Sequence, residues 1–447
     1  MISNEQQKQK ETAIRRLTRT LEASVSPYHC IQEAERQLSE AGFTPLALTK
    51  NWELAPNGRY YINAFDSTLL AFTLGSDMIP GRIAPEKKET VRLRLAAAHT
   101  DWPCLKLKPS PETATGRYGK LNVEVYGGPI LSTWMDRPLS VAGKVCVMTD
   151  DPFAPEVLFI NHEAPIFTIP SLAIHMNREV NKGVEYNPQV DMLPLAGILT
   201  DSLNKDSYFL DFLAKETGHP AEEILDYEIY LYNADKPAVL GLQNEFLSAP
   251  RLDNVTSVQA CLTGLIEGGC QKGIQGIALY DNEEIGSCTK QGAESLLLER
   301  ALEKIFLSLG LGREALLNSL MGGLMFSLDV AHAMHPNHPE KCDIKNQIIM
   351  GDGAALKLAA SQAYATDASY SSIIEGLCRK NRIPYKKFSN RSDIRGGSTL
   401  GHISSAILNM PTIDAGVPML AMHSAREIIH IDDQIALEAL TAAFFCG

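Results

Sequence analysis

The sequence lacks the features that mark secreted, membrane-spanning and thiolate-metal proteins. Its nine cysteines are scattered singly and never form a CxxC pair. Neither a disulfide framework nor a thiolate zinc site is therefore indicated. No run of about eighteen apolar residues is present, as a membrane-spanning helix would require. The N-terminal stretch is too polar for a signal peptide, so we expect a cytoplasmic protein without a membrane partner.

Basic residues are fewer than acidic residues. The 447 residues include 41 lysines and arginines against 53 aspartates and glutamates, and the formal net charge is −12. This balance argues against a nucleic-acid partner, because a nucleic-acid footprint requires a basic surface. The sequence contains no internal repeat and no low-complexity tract. Hydrophobic residues make up 45% of the chain and charged residues 21%, as in an ordinary globular protein that can bury a large core.

The pattern of apolar residues predicts an α/β fold. The apolar residues of 11–40 have helical spacing. The first clear strand is Val91–Ala98, and His99 follows directly at its end. After residue 236, apolar runs typical of strands alternate with stretches of helical spacing. Such alternation implies a mostly parallel or mixed sheet flanked by helices on both faces.

The middle of the chain has a different pattern of predicted secondary structure. It contains short strands and turns, followed by the helical pattern "ILTDSLNKDSYFLDFLAKETG". We therefore predict a β-rich domain, residues 106–235, inserted into a discontinuous catalytic domain formed by residues 1–105 and 236–447.

The motif "YDNEEIGS" places two adjacent glutamates, Glu283 and Glu284, after the apolar run "GIQGIAL". At a solvated turn, two like charges would cost little. Beside a divalent cation, one carboxylate could bind the metal while its neighbour accepted protons from water. This second interpretation requires further metal ligands elsewhere in the chain.

Suitable residues follow other apolar runs. They are His99 and Asp101 in "LAAAHTDWPC", Asp253 in "FLSAPRLDN", Asp329 in "MFSLDVAHAM" and His423 in "AGVPMLAMHSARE". Ligand sites in α/β sheets lie at the carboxyl ends of the strands, where these residues are expected. Imidazole and carboxylate without thiolate suit zinc, manganese or cobalt in a hydrolytic site.

Each of these residues has a structural alternative. A single histidine after a strand is more often a hydrogen-bonded packing residue. Asp253 precedes a helical run, where an aspartate is by default an N-cap. Asp329 could equally belong to a turn. The metal-site interpretation therefore depends on the joint occurrence of these residues at strand ends.

Three further histidines recur every third residue in "AHAMHPNH". Residues at this spacing can share a helix face, but Pro336 and Pro339 break any regular helix there. Loop structure or substrate contact is therefore favoured over primary metal ligation for His332, His335 and His338.

Taken together, the motifs resemble the aspartyl aminopeptidase family of dinuclear metallo-aminopeptidases. The resemblance extends from about residue 60 to 435 and includes "AAAHTD", "IPSLAIHM", "NEFLSAPRLDN", "YDNEEIGS", "RSDIRGGSTLG" and "AMHSARE". It implies two divalent metal ions per subunit, with Zn²⁺ favoured over Co²⁺ or Mn²⁺. One ion would be held by His99 and Asp329, the second by Glu284 and His423, and Asp253 would bridge them.

The resemblance also implies roles beyond metal ligation. Glu283 would accept a proton from the attacking water, and Asp101 would orient the His99 imidazole. The inserted domain would be a dimerisation domain within a tetrahedral assembly of twelve subunits. In that assembly His175, in "SLAIHM", would reach the active site of a neighbouring subunit. The alternative is that His175 is a surface or interface residue of a stretch with a helical pattern.

Departures from the family pattern leave the substrate preference open. Trp102 replaces a small residue after "HTD" and can narrow the pocket. Pro129 replaces a glycine and can stiffen a loop, while Ser171 stands where some family members have a second histidine. Arg391 and Lys387 could bind an acidic side chain of the substrate, as could their neighbours Arg395 and Lys386. A solvated basic loop is the alternative.

Three functions are compatible with the sequence. The leading one is a metal-dependent aminopeptidase that removes N-terminal residues, with a preference for Asp or Glu as one option. The second is an acyl-amino-acid deacylase or carboxypeptidase with the same dinuclear site. The third is an inactive scaffold protein, which the presence of every matched ligand and of Glu283 disfavours.

Overall fold

The computed structural model of this chain describes residues 4–83, 89–200, 205–394 and 396–446. The chain forms two compact units. The first contains the residues up to Asp101, residues 238–422 and the residues from Glu427 onward; the second contains residues 102–237 and 423–426.

The α-helices are α1 Asn4–Ala23, α2 Pro27–Glu40, α3 Pro188–Asp191, α4 Tyr208–Thr217, α5 Leu252–Gly268, α6 Leu297–Ser308, α7 Arg313–Met321, α8 Ala368–Asn381, α9 Leu400–Leu408 and α10 Ile431–Cys446. The β-strands are β1 Thr44–Pro45, β2 Arg59–Ala64, β3 Thr68–Leu74, β4 Leu93–His99, β5 Cys104–Thr115, β6 Tyr118–Tyr126, β7 Leu139–Val147, β8 Glu156–Asn161, β9 Leu195–Ile198, β10 Ile224–Asn233, β11 Ala238–Leu240, β12 Phe246–Ala249, β13 Ile274–Tyr280, β14 Leu324–Leu328, β15 Ala331–His332, β16 Ala354–Lys357, β17 Tyr385–Phe388, β18 Thr412–Gly416, β19 Pro418–Leu420 and β20 Glu427–His430.

A nine-stranded mixed sheet forms the centre of the first unit. Its order is β1-β2-β3-β13-β4-β14-β18-β16-β17, and the four central strands β13, β4, β14 and β18 are parallel. A smaller sheet in the same unit has the order β11-β12-β20-β19-β15. The predicted α/β fold class, a mostly parallel or mixed sheet flanked by helices, is therefore confirmed.

Helices cover both faces of the central sheet. On one face Met325 of β14 belongs to a large apolar cluster that includes buried residues of α6 and α7. On the other face the ring of the next residue, Phe326, lies 5.3 Å from that of Phe444 in α10. Because successive strand residues point to opposite faces, β14 is buried on both sides.

The helix α5 packs closely on α10. A Cβ atom added to Gly264 would lie 2.4 Å from Cγ2 of Thr441, so the absence of a side chain at this position permits the close approach.

The structure differs from the sequence prediction at several element boundaries. The strands β2 and β3 precede β4, which the sequence pattern marked as the first clear strand. All seven residues of β3 are buried, so this strand lacks the alternation of apolar and polar residues that identifies half-buried strands. The helix expected in "ILTDSLNKDSYFLDFLAKETG" begins only at Tyr208, and residues 201–204 lie outside the described residues.

The second unit is built on a six-stranded antiparallel sheet. The strand order is β8-β7-β10-β5-β6-β9, and α4 packs on β5 and β8. The hydroxyl of Tyr208 in α4 hydrogen-bonds to the carbonyl of Lys120 in β6. Within the described part of the chain, no helix is long and apolar enough to cross a membrane.

Candidate metal centre

Three neighbouring parallel strands bring polar side chains to one edge of the central sheet. His99 is the last residue of β4 and lies in register with Tyr280, the last residue of β13. Asp329 directly follows β14 on the other side of β4. The carboxyl ends of parallel strands meet at one sheet edge, so residues distant in the sequence become neighbours.

Glu283 and Glu284 lie in a tight turn after β13. Asn282 has a φ of 64°, and the following 3₁₀ helix covers Glu283–Ile285. This left-handed residue turns the chain at the strand end, so that both carboxylates approach the histidine. One oxygen from each and one nitrogen of His99 lie within 4.8 Å of one another.

His99 is the centre of a buried cluster of carboxylates. Its Nε2 atom lies 3.5 Å from Oδ1 of Asp253, 3.6 Å from Oδ1 of Asp329 and 4.0 Å from Oε2 of Glu283. The side chain of His99 is only 1% exposed. Residues from three separate sequence motifs therefore lie together around one imidazole.

The arrangement fits a divalent cation. Nδ1 of His99 lies 3.0 Å from the carbonyl oxygen of Asp101, which can only accept a hydrogen bond. If His99 bound a cation through Nε2, its proton would therefore be on Nδ1, and the Nε2 lone pair would point at the cation among the carboxylates. Four-coordinate zinc at about 2.0–2.2 Å from its ligands separates those ligand atoms by about 3.4 Å, close to the observed distances.

Asp101 is fully buried and supports both sides of this cluster. Its Oδ1 lies 3.4 Å from Nδ1 of His99. The same atom accepts a hydrogen bond from the backbone N–H of Glu283, and Oδ2 accepts one from that of Glu284, each at 3.1 Å. One carboxylate therefore fixes the histidine and the glutamate turn relative to each other.

Asp253 is not an N-cap. The residue at the N-cap position of α5 is Arg251, with a φ of 64° and no capping side chain. Asp253 has non-helical dihedral angles, and the peptide bond to Asn254 is cis. Glu427 accepts a hydrogen bond from the backbone N–H of Asp253 at 3.0 Å, which leaves the Asp253 carboxylate directed at His99.

A buried lysine, Lys357, was missed by the sequence analysis. Its Nζ atom lies 3.6 Å from Oδ2 of Asp329 and donates a hydrogen bond to the carbonyl of Val330 at 2.8 Å. The side chain is only 3% exposed. A signal was present in the sequence, since this lysine is the one charge in the apolar run "AALKLAA".

Burial and charge shift the proton affinities in the cluster. Burial and the neighbouring carboxylates raise the pKa of Glu283 to about 8, although the charge of His99 opposes this. Burial lowers the pKa of His99, but its hydrogen bonds to Asp101, Asp253 and Asp329 outweigh burial and raise that pKa well above its usual value. Both directions reflect an excess of buried negative charge, which a bound cation would compensate.

His423 and His175 both belong to the second unit. Nδ1 of His423 lies 3.1 Å from the carbonyl oxygen of Gly128, which places the proton on that nitrogen. His175 is exposed and lies in a turn rather than in the helix that the sequence pattern indicated. That turn is closed by a hydrogen bond from the Met176 N–H to the Ala173 carbonyl.

The basic residues considered for substrate binding already have acidic partners. Lys387 pairs with Glu375 at 2.7 Å, and the guanidinium of Arg391 pairs with Asp393 at 2.6 Å. Lys386 similarly pairs with Asp352 at 3.0 Å. Arg395 lies outside the described residues.

The loop histidines interact mainly with each other and with a loop carboxylate. The rings of His335 and His338 are 5.3 Å apart, and Nδ1 of His338 lies 3.3 Å from Glu340. His332 is exposed in the short strand β15.

Comparison with known proteins identifies the family of this chain. The family model for aminopeptidase I zinc metalloprotease (M18) matches residues 20–445. A probable M18 family aminopeptidase 2 of Clostridium acetobutylicum is 43% identical over 423 residues, which cover 94% of this chain and 96% of that protein.

Solved structures are similar over the same length. The chain found in a cryo-EM structure of the Ape4 and Nbr1 complex has a TM-score of 0.91 at 29% identity and covers 100% of this chain and 87% of that one. The mApe1 dodecamer of S. cerevisiae has a TM-score of 0.83 at 25% identity, with coverages of 98% and 96%. Because both the family model and the bacterial relative extend over nearly the whole sequence, this chain belongs to the M18 family of zinc metalloproteases and is a metal-dependent aminopeptidase.

Proposed function

We propose that this aminopeptidase uses a dinuclear centre. His99 and Asp329 would hold one ion, Glu284 and His423 the second, and Asp253 would bridge the two. The observation that carries this proposal is the buried triad in which Nε2 of His99 lies 3.5 Å and 3.6 Å from the two aspartates. Zinc suits these ligands, and cobalt or manganese would also be accepted.

Glu283 is proposed as the general base. Bound cations would polarise a water molecule and the scissile carbonyl. The Glu283 carboxylate lies beside the cluster without being one of its five proposed ligands, so it can take the proton of the attacking water and pass it to the nitrogen of the leaving amine. A carboxylate held beside bound cations, but not bound to them, is suited to this transfer of a proton.

Asp101 is proposed to position rather than to react. Its carboxylate is buried, and its oxygens already accept the amides of Glu283 and Glu284. It therefore holds the base and one ligand at a fixed distance from His99. A loss of this carboxylate would displace all three groups together.

The substrate is proposed to be a peptide with a free α-amino group. Unbound carboxylate oxygens of the cluster favour a positively charged amine, whereas an acylated amine would bring no charge. Acceptance of acidic N-terminal residues is proposed from the sequence resemblance to the aspartyl aminopeptidase family.

We further propose that the second unit pairs subunits and that the protein assembles into a tetrahedral dodecamer. One of the similar solved structures is a dodecamer. The exposed turn that carries His175 also contains the exposed side chains of Leu172 and Met176, at 62% and 75%. Apolar side chains this exposed favour burial against another subunit, and this would bring His175 to a neighbouring active site.

A panel of aminoacyl chromogenic amides tests the substrate proposal. Each substrate is assayed with metal-depleted enzyme and after addition of zinc, cobalt or manganese, alongside its N-acetylated counterpart. We expect metal-dependent hydrolysis of the free amines only. Faster hydrolysis of N-acetylated substrates would instead identify a deacylase, and the absence of activity with every metal would support a scaffold role.

A further inference from the structure

A group of polar side chains, most of which have a buried atom without a hydrogen-bond partner, lies on the central sheet at the ends of the strands away from the metal centre. Arg59, Thr73, Gln275 and Arg94 form a row across β2, β3, β13 and β4, because each is paired in register with the next. Residues paired in register project from the same face of a sheet. Arg94 precedes His99 by five positions, so the row is about 17 Å from the metal centre.

Two arginines at this edge lack acceptors. Arg92 lies two positions before Arg94 and therefore on the same face. The buried Nη2 of Arg92 and the buried Nε of Arg94 have no hydrogen-bond partner. Among the described residues, no carboxylate forms an ion pair with either guanidinium. The Arg94 guanidinium lies 5.4 Å from the centroid of the Phe444 ring, which stabilises its charge but leaves Nε without an acceptor. Two neighbouring guanidinium groups that have a buried nitrogen without an acceptor, and no carboxylate partner, require an explanation in a protein with a net charge of −12.

Stabilisation of helix ends does not explain these arginines. The helices α5 and α10 both end near this edge, where a cation can interact with the last carbonyl groups. However, the Gly268 carbonyl accepts a hydrogen bond from the Cys446 thiol at 2.6 Å, and the Phe445 carbonyl accepts one from the Gln275 carboxamide. Neither guanidinium donates to them.

A cavity of about 290 Å³ adjoins the row and is lined by Arg59, Thr73 and residues 268–271. Thr73 is only 4% exposed, and its hydroxyl makes no hydrogen bond of regular geometry. Backbone contacts link this cavity to Arg92, which does not line it itself. The Cys270 thiol lies 3.6 Å from the Gly273 carbonyl oxygen, and the next residue, Ile274, donates its N–H to the Arg92 carbonyl at 2.9 Å. Burial raises the pKa of the Cys270 thiol, while the adjacent Thr73 hydroxyl and Arg92 guanidinium oppose that rise. The nearby Asp77 carboxylate accepts a hydrogen bond from the backbone N–H of Gly273.

We propose that this edge of the sheet binds a small tetrahedral oxyanion of the phosphate class, with Arg92 and Arg94 as its main ligands and Thr73 as a further donor. Guanidinium groups match the geometry of phosphate oxygens and form strong charge-assisted hydrogen bonds with them. The buried Oε1 of Gln275 also has no partner. As an acceptor it matches the protonated oxygen of monohydrogen phosphate.

Calorimetric titration of the metal-loaded, full-length protein with inorganic phosphate tests this site. Chloride keeps the ionic strength constant. The variants are Arg92→Met and Arg94→Met, and Arg300→Met is the matched control because Arg300 is exposed on α6. We expect saturable 1:1 binding in the wild type and the control, and at least tenfold weaker binding in either site variant. Peptidase activity should stay within twofold in all three variants, which shows that they fold.

The location of the anion is tested by crystals grown with selenate. An anomalous peak within hydrogen-bonding distance of Arg92 and Arg94 is the expected result. A titration with adenosine monophosphate distinguishes the source: tighter binding than phosphate indicates a phosphate group on a larger ligand, and equal or weaker binding indicates free phosphate. Selenate found only at the metal ions, water alone between the arginines, or equal phosphate binding by wild type and Arg94→Met would overturn the proposal.

Discussion

Asp101 holds the parts of the candidate metal centre together through three of its oxygen atoms. Its carbonyl oxygen lies 3.0 Å from Nδ1 of His99, and its two carboxylate oxygens accept the amides of Glu283 and Glu284. The imidazole and the glutamate turn come from parts of the chain about 180 residues apart, as the separation of 182 positions between Asp101 and Glu283 shows. The three contacts of this one buried residue hold the imidazole and the glutamate turn in one arrangement.

For single residues, the sequence indicates which side chains can take part in a metal site better than it indicates what each side chain contacts. Polar residues that directly follow apolar strands could be collected from the pattern because the carboxyl edge of a sheet is where ligands bind. The sequence could not decide whether Asp253 caps α5 or faces the cluster, since that depends on the backbone at Arg251. Lys357 was missed because its partner Asp329 lies 28 positions away and follows a different strand.

We predict that Glu283→Gln abolishes turnover and leaves the metal content near normal. The substitution removes a proton acceptor but no proposed ligand, and general-base assistance typically contributes about 10²- to 10⁴-fold. Single-turnover kinetics and elemental analysis of the same sample measure both quantities. Glu284→Ala is the companion variant and should lose one ion together with activity. Activity of Glu283→Gln within tenfold of the wild type would exclude the base assignment.

We predict that Lys357→Met destabilises the metal-free protein more than the metal-loaded protein. Without the ammonium, the buried Asp329 carboxylate loses its compensating charge, and breaking such a pair costs about 3–5 kcal/mol. A bound cation would replace that charge, so the loaded protein should lose less. Thermal unfolding with and without a chelator measures the difference. Equal losses in the two states would contradict this account of Lys357.

Among the elements, the strands that the sequence identified best are those with a clear boundary. The strand β13 was anticipated within a residue or two because glycine and the acidic turn flank an apolar run. In contrast, β3 is buried along its whole length and shows no alternation. The spacing of apolar residues in "AESLLLERALEKIFLSLG" predicts a helix that begins at Ala293, but α6 begins at Leu297. Ala293 and its neighbours form turns, which the spacing of apolar residues cannot distinguish from a helix.

We predict that Gly264→Ala lowers the thermal midpoint by disturbing the packing of α5 on α10. The new methyl group would lie 2.4 Å from Cγ2 of Thr441, and overpacking of this kind costs about 1–3 kcal/mol. Gly376→Ala in α8 is the control, because its Cβ would meet nothing within 4 Å. The control should be neutral or slightly stabilising, since alanine favours helices over glycine.

A second substitution distinguishes overpacking from other effects. Thr441→Ser removes Cγ2, so it should relieve part of the loss caused by Gly264→Ala. The double variant should then be more stable than the sum of the two single losses implies. Strict additivity would show that contact with Cγ2 of Thr441 does not cause the loss.

At the scale of the whole molecule, the two units are folded in different ways. The first has a mixed sheet whose central strands are parallel, and the second has an antiparallel sheet. The change in texture along the sequence indicated a β-rich middle region. It could not show that residues 423–426 belong to the same unit as residues 102–237, because almost two hundred positions separate the two segments.

We predict that His175→Ala lowers kcat by about 10²- to 10³-fold without loss of metal or assembly. The comparison is with removal of one hydrogen-bond donor that stabilises a developing oxyanion. Steady-state kinetics, elemental analysis and light scattering measure the three quantities. The exposed Glu179, four positions later, provides a control, since Glu179→Ala changes the same exposed segment without removing an imidazole or an apolar contact.

Mixing inactive subunits determines whether His175 acts across an interface. Samples of His175→Ala and Glu283→Gln are dissociated, combined and allowed to reassemble. If the site is shared, some interfaces will pair an intact histidine with an intact base, and part of the activity should return. Verified subunit exchange without recovery would restrict His175 to its own subunit or remove it from the reaction.

The return of residues 423–426 to the second unit limits how this protein could have been built by recombination. A domain inserted at one position can be gained, lost or exchanged as a single genetic cassette. Here a cassette covering residues 102–237 would leave behind four residues, His423 among them, whose packing partners belong to the exchanged piece. Ile130 donates its backbone N–H to the His423 carbonyl at 2.9 Å, and Thr133 accepts the N–H of Ala425 at 2.8 Å. Chimeras between family members should therefore fold best when both segments come from the same parent, and the two regions should have been inherited together.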